Sequence, residues 1–299
     1  MALCAMLTSC FTGIESTPKI TARDIKKQKV VDTPEKLFLS DISAEPASKW
    51  TKGKAFYVTD PRISLIFEHA AGKADGDLRG SILTLTDVRE SISVVGDSQT
   101  VLEFATCNGD TLSYRTNIPY SKFIKRREPL TIPFTVEKAL IDSISARLSG
   151  RVLYVLPQRR INSLGNDTTG IRYIPVEIRD VSYGDAYYPL KVSFREPDGT
   201  VSALMMTFGD GPSATRNFPT LFAFEDPRKS YPQVSDENWK LITESKVRLG
   251  MTPLECRLAL GAPNDWQQRP SNAGIIERWG YENGIYLVFV DGVLTQFRH

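Results

Sequence analysis

One stretch decides the fold of the last part of the chain: Gly250-Met251-Thr252-Pro253-Leu254-Glu255-Cys256-Arg257-Leu258-Ala259-Leu260-Gly261-Ala262-Pro263. Within it, Thr252, Pro253 and Glu255 have the spacing of a capping box, with threonine as the N-cap and glutamate at the third helical position. A glycine with a proline just beyond it ends a helix, so we expect this helix to end at Gly261. The stretch therefore predicts a short helix with both ends defined.

A second helix and three strands flank this stretch. Asp236 to Val247 is predicted to be helical. Beyond Pro263, the hairpin signals Asn283-Gly284 and Asp291-Gly292 separate three strand-like runs, which are Ile275 to Tyr281, Ile285 to Val290 and Val293 to Phe297. Two amphipathic helices that cover one face of a three-stranded meander make an α+β unit. We therefore predict an ααβββ domain over residues 235–299.

A series of short motifs in this domain resembles the SmpA/OmlA lipoprotein domain. They are Gly250-Met251-Thr252, Glu255, Leu260 to Pro263, Trp279-Gly280-Tyr281, Phe289 and Asp291-Gly292. That family includes the small lipoprotein subunit of the outer-membrane β-barrel assembly machinery, and its fold is similar to the repeats of β-lactamase-inhibitor protein. The resemblance covers about the last fifth of the chain and consists of caps, turns and core aromatics. What it implies is an architecture, and it carries over no partner-binding residue.

The middle of the chain contains two similar series of sequence blocks in the same order. Thr33 to Ser43 aligns with Thr135 to Ser145, and Gly53 to Val58 aligns with Gly150 to Val155. The series continues with two further pairs, Asp87-Val88 with Asp180-Val181, and Leu102-Glu103-Phe104 with Val192-Ser193-Phe194. An ordered series of this kind indicates an internal duplication. We therefore predict two tandem β-rich modules, residues 31–130 and 131–234.

Each module is predicted to be a short helix followed by several strands. Thr33 and Thr135 are the expected N-caps of the two helices. The expected buried face of the second helix is the four-residue repeat Val136, Leu140, Ile144 and Leu148. Asn108-Gly109 and Asp198-Gly199 are hairpin signals. The strands of each module make a small barrel or a sandwich, and an SH3-like barrel is our preferred hypothesis.

The N-terminal residues Leu7-Thr8-Ser9-Cys10 look like the lipobox of a bacterial lipoprotein. In that family the cysteine becomes the lipidated first residue, so Cys10 is the expected lipidation site. Residues 1–10 are interpreted as a truncated signal with its lipobox, because only nine residues precede Cys10 and none is Lys or Arg. Residues 11–30 are polar and are interpreted as a tether. The alternative is an ordinary apolar N-terminus with a chance cysteine.

Composition and charge disfavour several function classes. The formal net charge is only +2, which gives no electrostatic argument for a nucleic-acid partner. No apolar run reaches the roughly 18 residues that a spanning helix needs, so attachment to a membrane is expected through lipid alone. The two histidines, His69 and His299, have no partner residues at catalytic or metal-ligand spacing. We therefore predict no catalytic residue, no metal site and no cofactor.

Two cysteines remain once the signal and the lipid site are set aside, Cys107 and Cys256. Both are expected to be buried free thiols that act as small hydrophobic residues. A disulfide between them is the alternative, because an exported compartment permits one.

One basic cluster lies outside the tether. Lys122, Lys125, Arg126 and Arg127 are interleaved with Phe123 and Ile124. This pattern suits contact with anionic lipid or a polyanionic envelope polymer, and a solvated loop between modules is the alternative. A second set of candidate contacts lies near loops rich in glycine and proline, namely Tyr183, Tyr187, Tyr188 and Tyr231. These tyrosines are expected either to anchor a protein partner or to pack in the core.

These observations favour a non-enzymatic, lipid-anchored cell-envelope protein that faces the periplasm, with the outer membrane as its expected site. It is expected to act through protein–protein interaction, in outer-membrane or envelope assembly. The alternative is an envelope enzyme or carbohydrate-binding protein with a site between the modules. A third hypothesis is a scaffold that binds lipid or polymer through the basic cluster.

Overall fold

The computed structural model describes residues 32–69, 77–93, 96–209, 215–272 and 274–298. From Pro34 onward the chain forms one unit of mixed α+β structure in which strands predominate. Its strands lie in three sheets, each with its own cluster of buried side chains. Cys10, the interpreted signal and the tether lie outside the described residues. Within the described ranges, no helix is long and apolar enough to cross a membrane.

The first sheet has six antiparallel strands. They are β1 (Ala55–Val58), β2 (Phe67–His69), β3 (Ile82–Ile92), β4 (Ser98–Ala105), β5 (Thr111–Arg115) and β6 (Thr135–Glu137), in the order β2-β5-β4-β3-β1-β6. The short helix α2 (Tyr120–Phe123) accompanies it, with 3-10 turns at Ala47–Lys49 and Pro61–Leu65. Helix α1 (Pro34–Leu37) precedes this sheet in the chain, but Phe38 and Leu39, which follow the helix, pack on the core of the second sheet. Phe56, Phe67 and Phe104 pack edge to face in its core, with centroids 5.6–5.8 Å apart.

The second sheet has seven strands. After helix α3 (Lys138–Leu148) come β7 (Val152–Val155), β8 (Arg159–Asn162), β9 (Asp167–Thr169), β10 (Ile174–Tyr183), β11 (Leu190–Arg195), β12 (Val201–Met206), helix α4 (Phe218–Leu221) and β13 (Phe222–Ala223). The strand order is β13-β7-β10-β11-β12-β8-β9. Helix α3 buries Leu140, Ile144 and Leu148 in the core of this sheet because they recur along one helix face.

Both sheets contain a β-bulge and a five-residue hairpin at matching places. The bulges lie between Leu85 and Asp87 in β3 and between Ile178 and Asp180 in β10. The hairpins follow β4 and β11, and their glycines, Gly109 and Gly199, have φ of 87° and 89°. Positive φ suits glycine because it has no Cβ, and the hairpins predicted at these two positions are confirmed.

The third sheet is a four-stranded meander. Helices α5 (Asp236–Thr243) and α6 (Pro253–Leu260) precede β14 (Asp265–Ser271), β15 (Gly274–Gly280), β16 (Tyr286–Val290) and β17 (Val293–Arg298), with 3-10 turns at Pro227–Ser230 and Glu282–Gly284. The capping box at Thr252 and the helix end at Gly261 are confirmed. The core centres on Trp279, whose ring lies 4.8 Å from that of Phe289.

The predicted ααβββ order is wrong by one strand, since β14 adds a fourth. All seven residues of β14 are exposed, and the strand carries Pro270, so it has neither the apolar alternation nor the composition of an ordinary strand. It pairs with β15 as an edge strand, a position that tolerates proline.

Helix α3 also differs from the prediction. Thr135 was expected to be its N-cap, but Thr135–Glu137 is strand β6, which pairs with β1, and the helix begins at Lys138. Val136 therefore reaches the core of the second sheet from a strand rather than from the helix face. β-Branched Thr135 and Val136 suit the strand, and pairing with β1 outweighs the local capping signal.

Candidate functional site

A groove lies among segments of the first and second sheets and the chain that joins them. It consists of two pockets of about 380 and 410 Å³, and Thr131 and Phe208 line both. The other apolar lining residues include Leu39, Ile42, Pro129, Pro133, Phe134, Tyr187, Pro189, Phe218 and Pro219. We call it the Phe208 groove. Its rim exposes two aromatic rings, with Tyr187 76% and Phe208 37% accessible.

Arg62 lies in the second pocket, beside the ring of Phe134 and close to the hydroxyl of Tyr187. Its Nε and Nη2 donate to the two carboxylate oxygens of Asp60 over 2.8 and 2.7 Å, and its guanidinium lies 4.9 Å from the Phe134 ring centroid. Hydrogen bonds from the Arg62 side chain and then from its backbone N–H lower the pKa of Asp60 to about 2. The pKa of Arg62 is raised by Asp60 and, more weakly, by the Tyr187 hydroxyl. The pair therefore stays charged and holds the ring of Phe134 in place.

The loop that carries Tyr187 is fixed by its own turn. Asp185 Oδ1 accepts from the backbone N–H groups of Tyr187 and Tyr188 over 2.8 and 2.7 Å. Gly184 begins the loop, and a Cβ there would lie 2.1 Å from the Tyr188 carbonyl oxygen, so no other residue fits. The exposed Tyr187 ring is therefore presented by a defined backbone.

Phe134 adopts an unusual backbone conformation at the groove. Its φ is 63°, in the left-handed region that non-glycine residues rarely occupy. Such strain persists only where surrounding contacts impose it, and it is common at binding sites. Here Thr59 N–H donates to the Phe134 carbonyl over 2.9 Å, and Arg62 covers the ring.

Two residues that line the first pocket each have a buried side-chain oxygen without a hydrogen-bond partner among the described residues. The two oxygens are Thr207 Oγ1 and Asn217 Oδ1. A buried polar atom that lacks a partner costs about 1–3 kcal/mol, so nearly all such atoms in native proteins are bonded. These two oxygens lack a bond that the described residues could give, and since both are buried, a ligand in the pocket bonds to them only where neighbouring side chains move aside.

The carboxylates around the groove are engaged with backbone amides or with arginine. Glu35 Oε1 accepts from Phe224 N–H over 3.1 Å, Asp185 accepts within its turn and Asp60 pairs with Arg62. In the described parts of the chain, no group of three or more His, Cys, Asp or Glu side chains is placed to hold a metal ion. The groove therefore presents mainly apolar and aromatic side chains, and its carboxylates are already engaged within the protein.

The basic cluster predicted from the sequence is partly brought together. Lys122, Lys125 and Arg126 line an open depression of about 640 Å³, whereas Arg127 does not. Ile124 is exposed, but Phe123 is buried and packs on Trp50 with ring centroids 6.2 Å apart. Phe123 is therefore unable to insert into a lipid surface, because the core holds its ring. Glu128 also lines the depression and reduces its positive charge.

The four candidate tyrosines separate into two groups. Tyr187 is exposed, which is the position expected of a residue that anchors a protein partner. Tyr183 stacks on Tyr57 with centroids 4.9 Å apart, Tyr231 stacks on Trp239, and Tyr188 lies under Arg216. These three are held by packing within the protein.

The two cysteines are free, as expected, but their burial differs. Cys256 is fully buried, and burial raises its pKa to about 12, with a further contribution from the charge of Glu255. Cys107 was expected to be buried and is exposed. It lies in the turn after β4, where a hairpin loop projects away from the core.

The sequence did not indicate Phe134, Thr207, Phe208 or Asn217 as site residues. The groove draws its described lining from six chain segments, residues 35–44, 59–62, 129–136, 185–189, 207–209 and 217–219. The available signal was the set of prolines beside aromatic residues, namely Pro133-Phe134 and Phe218-Pro219. That signal is weak because nothing in the sequence places these pairs side by side.

Comparison with known proteins adds no relative: no protein-family model, curated protein or solved structure matches the chain. Function is therefore inferred from the groove and the sheets themselves.

Proposed function

We propose that this chain is a non-enzymatic binding protein of the cell envelope that holds an extended segment of a protein partner in the Phe208 groove. The observation that carries the proposal is a groove with exposed aromatic and proline side chains, beside two buried oxygens that have no partner among the described residues, Thr207 Oγ1 and Asn217 Oδ1. The carboxylates nearby are engaged, which favours binding over acid–base chemistry.

An extended peptide matches this groove in two respects. Its backbone presents unpaired N–H groups, which are the donors that Asn217 Oδ1 and Thr207 Oγ1 require. Grooves walled by aromatic residues accept the side chains of extended or proline-rich segments, which are already straight before binding. The combined volume of the two pockets lies within the range of ordinary ligand sites.

We also propose that the first and second sheets arose by duplication as two tandem modules, with the groove at their junction. Apart from the edge strand β9, which has no counterpart in the first sheet, the strand orders β2-β5-β4-β3-β1-β6 and β8-β12-β11-β10-β7-β13 are equivalent position by position. The bulges at Asp87 and Asp180 and the hairpins at Gly109 and Gly199 occupy equivalent places. These equivalences support two related modules whose junction forms the binding groove.

The compartment remains part of the proposal. Cys10 as a lipidated residue, with residues 11–30 as a tether, would attach the protein to the membrane and leave the groove in the periplasm. The SmpA/OmlA-like series of motifs around Thr252 favours the same compartment. Labelling cells with a radioactive fatty acid tests this: label that is lost in Cys10→Ala supports the tether, and an unlabelled parent protein removes it.

The groove is tested by site-specific photo-cross-linking in cells. A benzoylphenylalanine residue replaces Tyr187 or Phe208, and the matched control replaces Leu164, which is 82% exposed on the β8–β9 hairpin. We expect one protein to cross-link from both groove positions and not from position 164, through a segment that mass spectrometry identifies. A synthetic peptide of that segment should bind the purified protein, and Phe208→Ala should weaken binding at least tenfold, as loss of a buried aromatic anchor does.

Two results would contradict this proposal. Equal cross-linking from all three positions would mean that the groove has no selective occupant. Cross-links from the groove to polysaccharide instead of protein would favour a carbohydrate-binding function, for which exposed Tyr187 and Phe208 rings are also suited.

A second candidate function is contact with an anionic surface through Lys122, Lys125 and Arg126. It is favoured by one observation: these three cations meet at one depression, and Arg126 Nε is buried without a partner among the described residues. Sedimentation with vesicles that contain anionic lipid should fall at least threefold for Lys122→Gln/Lys125→Gln. Equal binding to neutral vesicles would eliminate this candidate.

A further inference from the structure

Strand β14 (Asp265–Ser271) leaves one long edge of the third sheet open. In the described chain its one neighbour is β15, and all seven of its residues are exposed. An open edge exposes unpaired N–H and C=O groups and is a template for a further strand. Trp266, on this strand, is 54% exposed.

Pro270 establishes which amides lie at the open edge. It is paired with Ile275, and because proline has no N–H this must be a non-hydrogen-bonded pair of the antiparallel ladder. Because backbone N–H groups point to alternate sides along a strand, the N–H groups of Asp265, Gln267 and Arg269 point toward β15. The amides of Trp266 and Gln268 therefore lie at the open edge.

The charges of β14 are arranged to complement a second, antiparallel copy of the same strand. Asp265, Gln267 and Arg269 project on one face, where Gln267 donates to Asp265 over 3.3 Å and Arg269 donates to Gln267 over 3.1 Å. If two copies pair about a twofold axis at Gln267, Asp265 of each copy lies opposite Arg269 of the other. The backbone N–H and C=O groups of Trp266 at the open edge then pair with those of Gln268 in the other copy.

We propose that the β14 edge is a self-association surface, through which two copies of this chain join their third sheets by antiparallel pairing centred on Gln267. The pairing forms four backbone hydrogen bonds and two Asp265–Arg269 ion pairs between the copies. It also brings the two Trp266 rings to diagonal positions on one face, which lie within reach of aromatic side chains. The proposal is independent of what occupies the Phe208 groove.

The same residues discourage other pairings. Charges and proline on an edge strand normally oppose unspecific association. In a parallel or shifted register, Asp265 and Arg269 would lie opposite uncharged or like-charged residues, and the missing N–H of Pro270 would interrupt the ladder. A closed, twofold contact is the arrangement in which these residues are favourable.

Charge reversal tests this arrangement by measuring the dimer dissociation constant in sedimentation experiments. The full chain carries Cys4→Ser, Cys10→Ser and Cys107→Ser throughout, so that no lipid or exposed thiol contributes. Asp265→Arg and Arg269→Asp should each raise the constant at least tenfold, because each places like charges opposite one another twice. Arg298→Asp, on the opposite edge of the same sheet, is the matched control and should leave the constant unchanged.

Mixing the two single variants should restore dimerisation. One single variant carries two arginines on the edge and the other carries two aspartates, so the equimolar mixture should form heterodimers at about the parent's dissociation constant. The double variant Asp265→Arg/Arg269→Asp should likewise return to the parent's value. A failure of both rescues would reject the register, even if each single variant is monomeric.

A cross-link gives a second measurement that does not depend on charge. Gln267 lies opposite itself in a non-hydrogen-bonded pair, where Cα atoms are about 4.5 Å apart, so Gln267→Cys should form an intersubunit disulfide under mild oxidation. Gln296→Cys, exposed on β17, is the control and should remain reduced. A parent protein that stays monomeric at millimolar concentration, or one that dimerises with no effect of any β14 substitution, overturns the proposal.

Discussion

The Lys54 ammonium and the Glu137 carboxylate lie 2.8 Å apart, and both side chains are only 8% exposed. Lys54 immediately precedes β1, and Glu137 ends β6, which pairs with β1. Glu45 also accepts from Lys54 over 2.9 Å, and the ammonium lies 5.4 Å from the ring centroid of Trp50. The ion pair thus joins the first sheet to the residue that directly precedes helix α3.

Removing one partner of this pair should be strongly destabilising. Glu137→Ala leaves the buried Lys54 charge with only the partly exposed Glu45, so we expect the free energy of unfolding to fall by about 3–5 kcal/mol. Urea denaturation monitored by far-UV circular dichroism measures this loss in the free energy of unfolding.

Two controls separate burial from charge. Asp142→Ala breaks the exposed Lys138–Asp142 pair and should change the free energy of unfolding little, because solvent screens such a pair. Lys54→Met with Glu137→Leu removes both charges and should recover most of the lost stability. If Glu137→Ala costs no more than Asp142→Ala, the buried pair has no special role.

Local signals in the sequence predicted the elements that depend on local physics. The capping box at Thr252, the helix end at Gly261 and the turns at Gly109, Gly199 and Gly292 follow from neighbouring residues alone. Thr135 and β14 were missed because long-range pairing decides them: β6 needs β1, and β14 needs β15. The Phe208 groove was missed for the same reason, since Phe134 and Phe208 are 74 positions apart in the sequence.

Gly170 offers a test of close packing around a second buried charge. Arg160 is fully buried, pairs with Glu196 and lies 5.7 Å from the Phe194 ring centroid. A Cβ at position 170 would lie 2.1 Å from Arg160 Nη1, so Gly170→Ala must displace the buried guanidinium. We expect a loss of about 2–3 kcal/mol in the free energy of unfolding.

The matched control for this substitution is Gly280→Ala. A Cβ at position 280 meets its nearest atom at 3.5 Å, an ordinary contact. It should change stability by less than about 1 kcal/mol. Equal losses for the two variants would show that Arg160 moves aside without cost.

Replacing Ser245 by glycine should stabilise the folded protein. It follows helix α5 with φ of 56°, Ser245 N–H donates to Ile242, and Lys246 N–H donates to Leu241. These bonds form a Schellman motif, whose left-handed position is usually glycine. Ser245 Oγ is also buried without a partner among the described residues. Ser245→Gly should therefore raise the free energy of unfolding by about 1 kcal/mol.

Ser245→Ala distinguishes the two contributions, because it removes the hydroxyl and keeps the unfavourable Cβ. It should give a smaller gain than glycine in the same thermal and urea unfolding measurements. Alanine equal to or better than glycine would mean that the backbone conformation is not strained.

Glu255 should make the stability of the third sheet and its helices depend on pH. Burial raises the pKa of Glu255, but bonds from the Thr252 N–H, the Asn238 amide and the Thr252 hydroxyl outweigh it, so the pKa lies below its usual 4.5. The bonds measure 2.8, 2.7 and 2.9 Å. Below pH 4.5 the unfolded chain binds a proton before the folded one does, so stability falls as pH falls through the folded pKa.

Glu255→Gln removes this titration and weakens the capping box. At pH 7 it should lower the free energy of unfolding by about 1–3 kcal/mol, because charged hydrogen bonds are lost. The difference between the parent and Glu255→Gln should stay constant above pH 6 and shrink below pH 4.5, as urea denaturation from pH 3 to 7 would measure. Glu282→Gln, at an exposed position, should give no such trend. A difference that is the same at pH 3 and pH 7 would show that the carboxylate's charge does not stabilise the cap.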